Sequence, residues 1–85
     1  MLMSPELVAE INTLLLFNVA DPQEGIKIHK DADPSLIAAA GRLHGKGLVT
    51  QPDGGYLTML GREAAEHLQM AHTIVTSALE ASSIS

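Results

Sequence analysis

The chain has 85 residues, five Lys and Arg against ten Asp and Glu for a formal charge of −5, no cysteine, and two aromatic residues, Phe17 and Tyr56. This describes one small domain, able to bury only about two-thirds of its unfolded surface and helped by self-association. Disulfides, thiolate metal sites and a cysteine nucleophile are excluded, and an aromatic base-stacking platform is not expected. No apolar run approaches the roughly 18 residues of a membrane span and the N-terminus lacks a basic leader, so a cytoplasmic protein without membrane association is expected.

The first helix is announced by Ser4 as N-cap, Pro5 at the first helical position and Glu6 on the favourable end of the dipole. Leu7, Val8, Ile11, Leu14 and Leu15 recur at helical spacing, with Leu16 and Phe17 widening the stripe. This predicts a mostly buried helix ending near Asn18. Residues 18–25, with Asp21, Pro22 and Gly25, form a connection that no periodicity organises. Residues 26–32 are ambiguous: alternating Ile26 and Ile28 suggest a short strand, and seven residues hold at most two helical turns, so the expectation is a short strand or a single turn.

A second helix should start at Asp33 as N-cap and Pro34, and run to about residues 45–47. At about 100° per residue, Leu36, Ile37, Ala40 and Leu43 share a face expected to pack, and Ser35, Ala38, Ala39, Arg42 and Lys46 share the opposite one, expected to be offered to a partner. Leu48 to Thr50, a turn over residues 51–55 and Tyr56 to Thr58 then read as a short hairpin, with Gly54 and Gly55 supplying positive φ. Thr58 can cap a last helix from Met59 to about Ala81, leaving residues 82–85 to fray. More than twenty residues at about 1.5 Å each exceed the reach of so small a core. Met70, Ile74, Val75, Ala78 and Leu79 therefore form an apolar surface suited to a homodimer, the alternative being a helix folded back on the first helix of the same chain.

Charge is segregated along the chain. Residues 1–26 carry four acids and residues 63–85 carry three, neither with a cation, while Lys27, Lys30, Arg42, Lys46 and Arg62 all fall between them against Asp31, Asp33 and Asp53. The central segment is thus net positive, as a DNA-facing surface would be, although ordinary solvated charge accounts for the same pattern.

The segment RLHGKGLVTQPDGGYLTMLGREAAEHL resembles the recognition helix, wing and last helix of bacterial winged helix-turn-helix regulators of the PadR and MarR type, in which a basic helix end, Gly-Leu, a wing and Leu-Thr-x-x-Gly-Arg recur. Over nearly the whole length, from Ser4 to Glu66, the chain is also similar to a small family of gammaproteobacterial proteins of about this size described as DNA-binding. The resemblance implies a mainly α fold with a small β-hairpin: a winged helix with an abbreviated scaffolding helix and a long C-terminal dimerisation helix. Its implied function is sequence-specific binding of double-stranded DNA by a homodimeric transcriptional regulator. Lys27, Lys30, Ser35, Ala38, Ala39, Arg42, Lys46, Gly54 and Gly55 would then contact DNA, with Arg42 reading a base and the lysines meeting phosphates. The rival is a winged-helix module that binds protein, favoured by the acidic balance, the acidic wing tip at Asp53 and the shortened scaffolding helix.

Catalytic and metal chemistry find little footing, and no enzyme, cofactor or metal site is expected. His29, Asp31 and Asp33 alternate but make only one possible ligand triplet, and His67 and His72 are five apart rather than the four of a helical zinc pair. The serines have no nucleophile-elbow context.

Overall fold

The computed structural model describes residues 2–84, with side chains as far as Ala78. The elements are α1 (Pro5–Leu14), β1 (Ile26–Lys27), α2 (Pro34–Gly45), β2 (Val49–Gln51), β3 (Gly54–Leu57) and α3 (Met59–Ile84). Three helices and a three-stranded antiparallel sheet of order β1-β3-β2 make a small mixed α and β domain, with one strand more than a hairpin. Among the described residues, no helix is long and apolar enough to cross a membrane.

Each helix starts where a local hydrogen bond starts it. Ser4 Oγ accepts from the Leu7 amide at 3.1 Å, an Asp33 carboxylate oxygen accepts from the Ser35 amide at 2.8 Å, and Thr58 Oγ1 accepts from the Gly61 amide at 3.0 Å. These satisfy amides that a helical first turn leaves without partners. Helix α1 stops at Leu14, short of the expected Asn18. The Leu16 amide turns back to the Thr13 carbonyl and the Phe17 amide to Leu14, a three-residue spacing that tightens the chain and swings Phe17 inward while Leu16 stays exposed. Its buried side is Glu10, Thr13 and Leu14, with Thr13 bonding back to the Ala9 carbonyl at 2.7 Å. Leu7 and Val8 are open to solvent, so the helix is half rather than mostly buried.

Residues 26–32 supply both expected features, a two-residue strand and then a turn closed by the Ala32 amide on the His29 carbonyl at 3.0 Å. No helix lies between β1 and α2, so the abbreviated scaffolding helix that the resemblance implies is absent there, its residues being taken up by the strand and the turn. In the β2–β3 hairpin the turn is Pro52-Asp53, because Gln51 already pairs with Gly54. The register slips by one residue between Gln51 and Val49, which faces Leu57. Gly55, at φ +71°, takes the conformation such a bulge needs, and the following Tyr56 amide bonds Thr50 Oγ1 at 2.9 Å.

The core joins α1, α2, the sheet and the first half of α3 through Leu14, Phe17, Leu43, Val49 and Ala65. The Leu-Thr-x-x-Gly-Arg motif locks α3 to it. Thr58 Oγ1 donates to the Gly47 carbonyl at 2.6 Å, Gly61 has no room for a side chain against the Leu48 carbonyl, and Arg62 Nη1 donates to the Val19 carbonyl at 2.6 Å. Gln69, donating to the Phe17 carbonyl at 2.8 Å, is the last of these ties. Beyond it α3 runs on to Ile84, past the expected end at Ala81, and its described residues from Met70 to Ala78 are exposed. The 44 Å long axis against 27 and 25 Å, and a radius of gyration of 13.9 Å, record the extension; a compact chain of this length has about 12 Å.

Candidate functional site

The faces of α2 follow its periodicity in most positions: Ala40 and Leu43 are buried, Leu36 is half-buried, and Ser35, Ala38 and Lys46 are exposed as expected, while Ala39 and Ile37 depart from it. Ile37 is 38% exposed, and Gly41 and His44 also face solvent. Ala39, expected to approach DNA, is fully buried. Helix α1 reaches α2 on the side carrying Arg42 and Lys46.

Arg42 and Lys46 are held by one carboxylate. Glu10, with 6% of its side chain exposed, accepts from Arg42 Nε at 2.9 Å on one oxygen and from the Lys46 ammonium on the other. Arg42 also donates through Nη2 to the Glu6 carbonyl at 3.1 Å. The Lys46 hydrogen bond, opposed by burial and reinforced by Arg42, holds the Glu10 carboxyl below its usual range. The pair expected to read a base and a phosphate is thus engaged within the chain, one turn apart on α2 and across from α1.

With Arg62 tied to Val19, Lys27 and Lys30 are the cations without an ion-pair or hydrogen-bond partner among the described residues. The structure brings them together on the rim of a groove of about 740 Å³ between the β1–α2 connection, α2 and the Pro52-Asp53 turn. Ile28, Ile37, Ala40 and Pro52 give it apolar walls, and His29 and Asp53 also line it. The volume lies within the roughly 300–1,000 Å³ of ordinary ligand sites.

The remaining expected contacts are scattered. Ser35 is exposed, but its hydroxyl donates to Asp33 at 2.9 Å; this bond and the Ser35 amide, the larger cause, hold the Asp33 carboxyl below its usual range. Ala38 is exposed on α2. Gly54, at φ +118°, is buried in the sheet, paired with Lys27 on one side and Gln51 on the other, and Gly55 is half-buried. Neither is the hairpin tip, which is Pro52 and Asp53. No three His, Asp or Glu side chains among the described residues are placed to share an ion, so His29, Asp31 and Asp33 do not converge.

Of the expected dimer residues, Met70, Ile74 and Val75 are each 60–66% exposed and Ala78 is open, while the Leu79 side chain lies outside the described residues. A shallow hollow of about 370 Å³ between Val19 and the Glu66 to Ile74 side of α3 continues this surface toward the core.

Sequence reasoning missed Glu10, although a signal exists: Glu10, Thr13, Leu14 and Phe17 fall at helical spacing, which puts the carboxylate on the packed stripe. It also missed Ile37 and Pro52 as groove walls, for which the chain offers no local sign. No curated protein and no solved structure matches the chain. A family model matches residues 1–76, nearly all of the domain just described, and the chain belongs to that family of unknown function, DUF5669.

Proposed function

We propose that this chain is a non-enzymatic interaction module of winged-helix type, acting in the cytoplasm as a homodimer joined through the outer half of α3 and presenting the surface around the wing to a protein partner. The observation that carries this reading is the capture of Arg42 and Lys46 by Glu10. A helix that reads DNA needs free donors on its solvent face, and there α2 carries Ile37, Ala38 and Gly41, a Ser35 whose hydroxyl is given to Asp33, and His44 as the one free side-chain donor among them. The dimer is supported by the apolar stripe of Met70, Ile74 and Val75, exposed on a helix that leaves the core. The PadR- and MarR-like proteins that the sequence resembles also use helices outside the winged core to dimerise.

A second reading, the homodimeric DNA-binding transcriptional regulator, is favoured by one observation: Lys27 and Lys30 stand free beside the wing turn. Two such lysines from each of two subunits give at most four phosphate contacts and a salt slope no steeper than about −4. Selection from a random duplex pool at low salt, run beside sedimentation equilibrium, separates the readings. A dimer that enriches no duplex supports the interaction module. A duplex enriched through Lys27 and Lys30 replaces it with the regulator, and a monomer at tens of micromolar overturns the assembly shared by both.

A further inference from the structure

We propose that the groove between the β1–α2 connection, α2 and the wing turn binds a short peptide segment of a partner protein, in which an apolar side chain is flanked by carboxylates. This rests on the interaction-module reading and adds the partner's chemistry. Three features of the groove converge on it. The chain as a whole is acidic at −5, yet Lys27 and Lys30, the cations left without partners among the described residues, both stand on this rim. Ile28, Ile37 and Pro52 make walls that match an aliphatic or aromatic side chain and give nothing to a phosphodiester. Asp53 also lines the groove. Its carboxylate repels a continuous polyanion, whereas a peptide can set a backbone amide against it while its own carboxylates meet the lysines.

A second copy of this chain does not supply that chemistry through its free helical face. Between Glu66 and Glu80, α3 contains no Asp, Glu, Lys or Arg, so a neighbour seated along Met70, Ile74 and Val75 brings no carboxylate to Lys27 and Lys30. The groove and the α3 stripe are therefore separate surfaces for separate partners.

The test is a random peptide display library panned on the immobilised full chain and, in parallel, on the double variant Lys27→Glu, Lys30→Glu. Both lysines are exposed and take part in no ion pair among the described residues, so the variant keeps the fold; circular dichroism checks this, and Lys27→Gln, Lys30→Gln serves as the milder version. The expected result is enrichment of sequences with Asp or Glu next to Leu, Ile, Val or Phe, and at least a tenfold loss of affinity for the selected synthetic peptide in the charge-reversed variant. The same loss is expected for Ile37→Ser. Amide shifts on adding that peptide should move at residues 27–30, 37–40 and 51–53. The proposal is overturned if no sequence is enriched, if enriched sequences are basic or uncharged, if the variants bind equally well, or if the shifts map elsewhere. The dimer, read by sedimentation, and the duplex selection are independent of this result, so the groove can fail while the interaction module stands.

Discussion

Replacing Glu10 by alanine removes the carboxylate that joins α1 to α2 and leaves two cations facing each other one turn apart on α2. Breaking a buried ion pair by deleting one partner typically costs about 3–5 kcal/mol, because the other charge stays buried. Here the survivors are partly solvated, Arg42 with 36% and Lys46 with 53% of the side chain exposed, so water recovers part of that cost and about 2–3 kcal/mol is expected. Against a total stability of about 4–13 kcal/mol for a domain of this length, the loss is large and should lower the melting temperature by roughly 10–20 °C. Urea unfolding followed by circular dichroism should show a lower midpoint at unchanged slope. Glu10→Gln keeps the shape and loses the charge, so most of the loss should persist in it. The dependence on pH follows from the lowered carboxyl. The folded state favours the ionised form, so the contribution is complete above the ordinary value near 4.5 and disappears as the pH falls through the lower folded value. The difference between the native chain and Glu10→Gln should therefore begin to shrink as the pH falls below the ordinary value near 4.5 and vanish once it is under the lower folded value. A loss under about 0.5 kcal/mol near neutral pH would refute the claim that Glu10 organises the α1–α2 contact. There is a functional corollary: Glu10→Gln releases Arg42 and Lys46, so if the regulator reading is correct, duplex affinity should rise as stability falls.

Ile74→Glu should convert a dimer to a monomer in sedimentation equilibrium with circular dichroism unchanged, since Ile74 is exposed in the single chain; an unchanged mass would exclude the outer half of α3 as the contact. Gly54→Val should cost on the order of 2 kcal/mol or more, because positive φ is combined with a Cβ placed 2.8 Å from the Ile26 carbonyl oxygen; a variant of native stability in urea would show that β1 does not lie where it is described. Ser4→Ala should lose about 1 kcal/mol through the α1 cap, and faster amide exchange should be confined to the first turn of that helix; exchange unchanged at Leu7 would contradict the cap. Asp53→Lys leaves the turn intact and turns a carboxylate on the groove into a cation, so it should tighten binding of the acidic peptide and sharpen its discrimination against neutral sequences, opposite in sign to Lys27→Glu; weaker discrimination in the same titration would contradict the charge argument.

What the sequence makes legible is local. Ser4, Asp33 and Thr58 announce their helices because a cap is a contact between residues two or three apart, and Gly55 announces the hairpin's irregularity through its own backbone. The extent of the packed face of α2 is a different matter. Leu36, Ile37, Ala40 and Leu43 mark a packing face, but Ala38, Ala39 and Ala40 are equal in hydropathy and Gly41 adds none, so where that face ends is decided by what packs on it. That partner is Glu10, 32 residues from Arg42 and 36 from Lys46, one of four acids in the N-terminal segment. A basic pair one turn apart looks like an offered surface until the carboxylate that claims it is known. The end of α1 was illegible for the opposite reason: no Gly or Pro stands between Leu14 and Asn18, and the chain bends because Phe17 finds a place in the core.

The stretch of α3 past Gln69 acts as a ruler. About 15 residues separate that last tie from Ile84, roughly 22 Å of helix. In a pair joined along those stretches, the distance and the rotation between the two grooves are fixed by helical phase rather than by a flexible linker. One residue inserted after Gln69 would turn each domain by about 100° about its own helix and move it about 1.5 Å farther from the shared contact, so both displacements add between the two grooves. A partner carrying two binding segments would feel that change as a loss of avidity, with the affinity of each groove untouched.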